Sequence, residues 1–242
     1  MSTNRAAQAQ RSAAPSPAQD EVGEYRFVTW LEQQAPAEDL ESKGGRTRLA
    51  LKVAAARLLE EYGLEQQSIG MVADAAGVTR TNFYRYFNRM HDLMLEITQD
   101  YQVFLQRCLW LPTRPPSPED VVREVNRRYV RVYATNIRLA MSMQEFRRTL
   151  PNDHPLQIDM NYTAAQRIAS SILKQSGRRA GPQAKARALA AGYALGAMVD
   201  GLLGEMYVRR NPHLVQLSMS EESIADLLSD LWNAAVRQLA SS

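Results

Sequence analysis

Residues 68–87 read Ser-Ile-Gly-Met-Val-Ala-Asp-Ala-Ala-Gly-Val-Thr-Arg-Thr-Asn-Phe-Tyr-Arg-Tyr-Phe. The stretch predicts two short helices hinged on Gly77, because a helix that breaks sharply and restarts needs a residue tolerating positive φ at the break. Before the hinge, Ile69, Val72, Ala73 and Ala76 recur at helical spacing; after it, Val78, Phe83 and Phe87 can close the same small core. Ser68 and Thr79 stand where N-caps belong. With Thr79 capping, the first amides of the second helix and the side chains of Arg80, Thr81 and Asn82 face outward together, an end suited to phosphates and base edges.

The segment before it fits as a brace. From Arg46 to Tyr62, Leu51, Ala54, Ala55, Leu58, Leu59 and Tyr62 follow the i, i+3, i+4, i+7 rule, and Gly63 stops the helix at a C-cap position. Between Lys43 and Arg89 the cations Lys43, Arg46, Arg48, Lys52, Arg57, Arg80, Arg85 and Arg89 outnumber the anions Glu60, Glu61, Glu65 and Asp74, eight to four. The local excess of four exceeds the +3 of the whole chain, so positive charge gathers here as attraction to a phosphate backbone requires.

Residues 46–93 resemble the DNA-binding domain of the TetR family of bacterial transcriptional regulators. The resemblance is carried by Glu60-Glu-Tyr-Gly63, Ser68-Ile-Gly-Met-Val-Ala73, Ala76-Gly-Val-Thr79 and Tyr84-Arg-Tyr-Phe87, in the family's order and spacing. Two positions depart from it: Thr81 stands where the family often has Gly, and Met90 where it usually has a phosphate-contacting Lys. The resemblance implies an all-α protein, with an N-terminal three-helix helix-turn-helix domain and a larger C-terminal helical domain for ligand binding and dimerisation. It also implies double-stranded operator DNA, a second copy of the chain and a small-molecule effector as partners, with repression as the regulatory sense. By side-chain chemistry, Arg80 and Asn82 are the candidates for base edges. Thr79, Thr81, Tyr84 and Arg85 suit phosphate or mixed contacts, Arg46 and Arg48 the flanking backbone, and Ser68 is first an N-cap.

Composition divides the 242 residues into an extension (1–43), the helix-turn-helix domain (44–91) and an effector-binding and dimerisation domain (92–242). The extension begins polar, with Arg5 and Arg11, then turns acidic through Asp20, Glu21, Glu24, Glu32, Glu38, Asp39 and Glu41. Within it, Tyr25-Arg-Phe-Val-Thr-Trp-Leu31 is more apolar than a linker needs, so docking on the protein's own body is the favoured reading. Past the headpiece, helices are expected near 92–109, 118–135, 137–149, 156–176, 183–209 and 221–240, with breaks at Pro112–Pro118, Pro151–Pro155, Gly177–Pro182 and Asn211-Pro212. No stretch shows sustained period-2 alternation, which argues against a sheet.

Ala188–Val199 is apolar but too short to span a bilayer, and no secretory pattern opens the chain; the expectation is a cytoplasmic protein with no membrane partner. One cysteine, Cys108, and three scattered histidines, His91, His154 and His213, give no metal or redox centre, and no cofactor is expected. No nucleophile-and-base motif appears, which ranks catalysis far below binding. Small residues along 183–209 leave stripes for close helix approach, and Ile224, Leu227, Leu228, Leu231, Trp232, Ala235 and Leu239 make an apolar face on the last helix; by resemblance these two helices pair with their copies. Candidate effector-pocket residues are Tyr129, Tyr133, Met141, Phe146, Tyr162, Tyr193 and Met198. Asp200 interrupts an apolar helix and reads as the partner of an arginine, while Arg123, Arg127, Arg128 and Arg131 read as a solvated face. The competing reading is a helical protein-interaction module whose DNA recognition is impaired, suggested by Thr81, Met90 and the N-terminal segment.

Overall fold

A computed structural model describes residues 24–33, 42–151, 154–176 and 181–241, and most of the polar and acidic N-terminal extension lies outside that set. The described residues form helices joined by turns, with no strand among them. In chain order these are α1 (Phe27–Gln33), α2 (Lys43–Tyr62), α3 (Ile69–Ala75), α4 (Arg80–Phe83), α5 (Met90–Cys108), α6 (Pro118–Thr135), α7 (Ile137–Arg148), α8 (Pro155–Ser176) and α9 (Pro182–Leu203). A π-helical turn (Gly204–Val208), the short α10 (Pro212–Val215) and α11 (Glu221–Ser241) complete the order.

Local chemistry explains the boundaries. Ser42 opens α2 by accepting from the Gly45 amide at 2.9 Å, and Gly63 closes it at φ +78° with its own amide on the Leu59 carbonyl. Ser117 caps α6, whose first residue, Pro118, has no amide to leave orphaned. The segment expected as one helix over 183–209 is α9 followed by the π turn, and α10 fills part of what was expected as a break.

One core runs through the headpiece and into the body. Leu51, Leu59, Val72, Phe83 and Phe87 of the headpiece are contiguous with Leu93, Met94, Ile97, Tyr101 and Phe104 of α5 and with Leu139, Met143 and Phe146 of α7. The segment 25–31 docks at this junction. Phe27 is 0% exposed, edge-on to Tyr101 (5.3 Å) and Phe104 (5.5 Å), and Trp30 tilts against Phe104 at 5.6 Å. The buried Asn136, between α6 and α7, accepts from the Phe27 amide at 2.8 Å and donates to the Tyr25 and Val132 carbonyls at 2.7 and 2.8 Å. Arg26 reaches Glu60 at 2.7 Å and Arg57 reaches Glu32 at 2.5 Å, so α1 is also tied to α2.

The remaining helices form a bundle in which α8 lies along α9 and α6 along α11. Gly192 of α9 permits the close approach of α8, since a Cβ there would stand 2.5 Å from the Ala165 carbonyl oxygen. Between α6 and α11, Asn126 donates to Ser229 at 3.1 Å, and Arg123 reaches both Asp226 (2.8 Å) and Asp230 (2.9 Å). Arg127 and Arg131 lie 3.6 and 3.7 Å from Glu222 and Glu221, and Arg128 holds Glu124 and the Trp110 carbonyl. The four arginines read as a solvated face thus form a seam of ion pairs and carbonyl contacts.

Phe27→Ala deletes a fully buried ring from the junction and should cost about 3–5 kcal/mol. Urea unfolding checks this, and an unchanged midpoint would mean that α1 contributes nothing to the folded core.

Candidate nucleic-acid interface

The turn between α3 and α4 is built by backbone necessity. Gly77 sits at φ +67°, donating to the Asp74 carbonyl at 3.1 Å, while Val78 donates to Ala73 at 2.9 Å. Ser68 accepts from the Met71 amide (3.3 Å) and Thr79 from the Asn82 amide (3.1 Å), so both expected N-caps form. The recognition segment is shorter as regular α-helix than the motif suggested: after Phe83 it continues as tight turns, with Arg85 and Tyr86 donating to the Asn82 and Phe83 carbonyls at 3.1 and 2.9 Å. Phe83 and Phe87, 5.7 Å apart, anchor its inner side, and Tyr84 packs edge-on to Phe83 with 55% of its surface exposed.

The outer side presents the expected groups. Ser68, Thr79, Arg80, Thr81, Tyr84 and Arg85 are exposed and Asn82 is half-buried. Among the described residues, Arg80 and Arg85 make no ion pair with a carboxylate. Arg46, near the start of α2, is exposed as well.

Arg48 is placed differently. Its guanidinium pairs with Glu96 of α5, donates to the Tyr86 carbonyl at 3.1 Å and lies 4.5 Å over the Phe87 ring. Lys52 likewise reaches Asp100 at 2.5 Å, and surrounding protein raises the Asp100 carboxyl above its ordinary value against the lowering effect of that ammonium. These two cations fasten α2 to α5. Arg89, next to the position where the family usually has lysine, pairs with Asp92 at 3.1 Å at the start of α5.

The candidate effector residues do not gather into one site. Tyr129 and Tyr133 stand 6.2 Å apart on α6, Tyr133 faces Tyr207 of the π turn at 6.3 Å, and Met198 packs against the same cluster. Phe146 is instead buried against His91, while Met141, Tyr162 and Tyr193 are exposed on α7, α8 and α9. Tyr129 donates to Asp200 at 2.6 Å. Asp200 thus bonds first to a phenol, with the Arg147 guanidinium exerting a further favourable charge on it. Desolvation raises the Asp200 carboxyl above its ordinary 3.8, holds the Tyr129 phenol well above its own ordinary value and lowers the Arg147 guanidinium. Asp200 nevertheless keeps an exposed surface. Tyr207 and Arg147 are the members that sequence reading missed. The π turn that carries Tyr207 has no periodicity signature, and Arg147 reads as an ordinary basic residue at a helix C-terminus.

A short hinged helix pair on an aromatic core, exposing hydroxyl, guanidinium and amide groups together, defines a helix-turn-helix DNA-binding regulator. Residues 52–97 match the family model of bacterial regulatory proteins, tetR family. Among solved structures, a crystal structure of RolR without ligand is 18% identical, with 80% of this chain and 96% of that chain covered at a TM-score of 0.47. No curated protein sequence matches.

The carboxyl of Asp200 binds its proton more tightly in the folded than in the unfolded chain, so its contribution to stability is most favourable below 3.8 and falls as pH rises through the folded value. Asp200→Asn removes that falling limb. The variant should gain on wild type as pH is taken from about 4 to 7, as read from urea midpoints. Tyr129→Phe, which leaves the carboxylate without its donor, should cost about 1–3 kcal/mol at neutral pH.

Proposed function

We propose that the protein is a homodimeric repressor that binds a two-fold symmetric operator through Arg80 and Asn82 and leaves it when a small molecule occupies the Tyr129–Asp200 cluster. The observation that carries the reading is the exposed segment Thr79–Arg85, held on a core continuous with the body. Arg80 and Asn82 serve as base-edge contacts; Thr79, Thr81, Tyr84 and Arg85 serve phosphates, with Arg46 beside them and Arg48 fixing the headpiece from behind.

Dimerisation is supported by the outer faces of α9 and α11. Leu227 and Leu231 are 41% and 48% exposed, and Gly196 and Gly201 have open space where a side chain would begin. The helical run Pro182–Val208 is long and apolar enough to cross a membrane, yet only 28% of its apolar window is buried. Asp200 within that run is bonded to Tyr129 of α6, and α9 lies along α8, which suits a bundle helix whose free face meets a second copy. Effector release follows from the cluster joining α6, α7, α9 and the π turn: a ligand that favours one packing of these helices shifts the headpieces away from the half-site spacing.

Selection of random duplex DNA at moderate salt, followed by sequencing, is the deciding experiment. The expected result is an enriched two-fold site, at which Arg80→Ala costs about 1–3 kcal/mol and relaxes preference at one base pair. Tyr84→Phe should weaken binding without changing the preferred sequence. Leu227→Glu with Leu231→Glu should give a monomer by sedimentation and abolish binding to the symmetric site. No enriched sequence from folded protein would instead favour the helical protein-interaction module.

A further inference from the structure

The reading of DNA by Arg80 draws attention to the residue on which Arg80 lies. Gly70 is buried in the first turn of α3, and what covers it is the Arg80 guanidinium: a Cβ built on Gly70 would collide with Nη2 and stand 2.8 Å from Nε and 2.9 Å from Cζ. Gly63 and Gly77, the neighbouring glycines, have nothing within 4 Å of the same position. They answer to positive φ, whereas Gly70 answers to the close approach of one side chain.

Electrostatics does not account for this placement. No carboxylate within the described residues pairs with Arg80, and the N-terminal end of α3 carries the positive end of a helix dipole, which repels a cation. What remains is shape. The planar, weakly hydrated guanidinium occupies the space where a side chain is missing, and the bare backbone of Gly70 leaves that space open to it. Glycine is a poorer helix former than alanine, so its place inside α3 works against the helix it occupies.

Resting on the DNA-binding reading above, we propose that Gly70 is a specificity-determining positioning residue: its bare backbone seats the Arg80 guanidinium and fixes which base edge that guanidinium addresses. The seat restricts the rotamers of a long side chain before DNA arrives, so its donors are oriented in advance. An alanine at position 70 evicts only the far end of a flexible side chain, not backbone, and the fold tolerates it.

The test compares Gly70→Ala, Arg80→Ala and their combination in the full chain, against the selected operator and a panel of single-base variants. Gly70→Ala should keep or raise Tm, shift the Arg80 Nε–H resonance in the free protein, and reduce discrimination roughly tenfold at the base pair that Arg80→Ala relaxes. The double variant should discriminate no worse than Arg80→Ala alone, because both changes remove one interaction. Arg80→Lys, which keeps the charge but not the plane, should reproduce the loss with Gly70 intact. Wild-type discrimination by Gly70→Ala, additive losses in the double variant, or an unmoved Arg80 resonance would each overturn the seat while leaving DNA reading intact. If the wild-type protein enriches no sequence at all, the DNA reading fails, and the specificity role of Gly70 falls with it.

Discussion

The constraint that organises this molecule is that its headpiece does not close a core by itself. One long and two very short helices bury little apolar surface, and such small units are marginal alone. The deficit is met by α5, whose Leu93, Met94 and Ile97 continue the core begun by Leu51, Leu59, Val72 and Phe83. The headpiece is therefore built onto the helix that leads into the body. Arg48 on Glu96 and Lys52 on Asp100 fix the same two helices at half-buried positions one turn apart, which sets their register as well as their contact. Arg138 of α7 adds a further tie by donating to the Glu61 carbonyl at 2.6 Å, at the C-terminal end of α2 where a cation is favoured.

This attachment changes what the charge pattern means. Along the chain, eight cations face four anions between positions 43 and 89. In space, Glu32, Asp92, Glu96 and Asp100, all from outside that stretch, come to rest on Arg57, Arg89, Arg48 and Lys52. Half of the cations are thus already paired, and three of them, Arg48, Lys52 and Arg57, hold the headpiece to α5 and α1. The positive face that remains for an anionic partner is narrower than the composition suggests, and it coincides with the exposed Arg80 and Arg85. Charge counted in a sequence window measures attraction only when the neighbours brought in by folding are neutral, and here they are acidic.

The same distinction governs what was legible in the sequence. The hinge at Gly77, the caps at Ser68 and Thr79 and the helix stop at Gly63 were readable because each is set by residues within four positions of it. Helix positions in the body were readable for a similar reason, since proline breaks and 3.6-residue periodicity are local. The apolar run from Tyr25 to Leu31 was recognisable as something that docks, but its site was not, because Asn136 lies more than a hundred residues away. The inward turn of Arg48, the seam made by Arg123 with Asp226 and Asp230, and the scattering of Met141, Tyr162 and Tyr193 to the surface all depend on which helices become neighbours. Aromatic and methionine side chains fill cores and line surfaces with equal ease, so type alone could not sort Tyr129 from Tyr162.

The arrangement also supplies a continuous route between body and headpiece. Asp200 on α9 holds Tyr129 on α6, and Asn136 lies seven residues further along, about 10 Å at the rise of an α-helix. Asn136 grips the backbone at Tyr25 and Phe27, and Phe27 rests on Tyr101 and Phe104 of α5. From α5, Glu96 and Asp100 reach Arg48 and Lys52 of the headpiece. Apart from the run along α6 itself, each step is a hydrogen bond, an ion pair or an aromatic contact. The N-terminal segment lies between the two ends: α1 touches α2 and α5, and the Phe27 amide donates to Asn136. In the proposed scheme, a ligand acting on the Tyr129–Asp200 contact would reach the recognition segment through the position of α6 relative to α5, which α1 bridges.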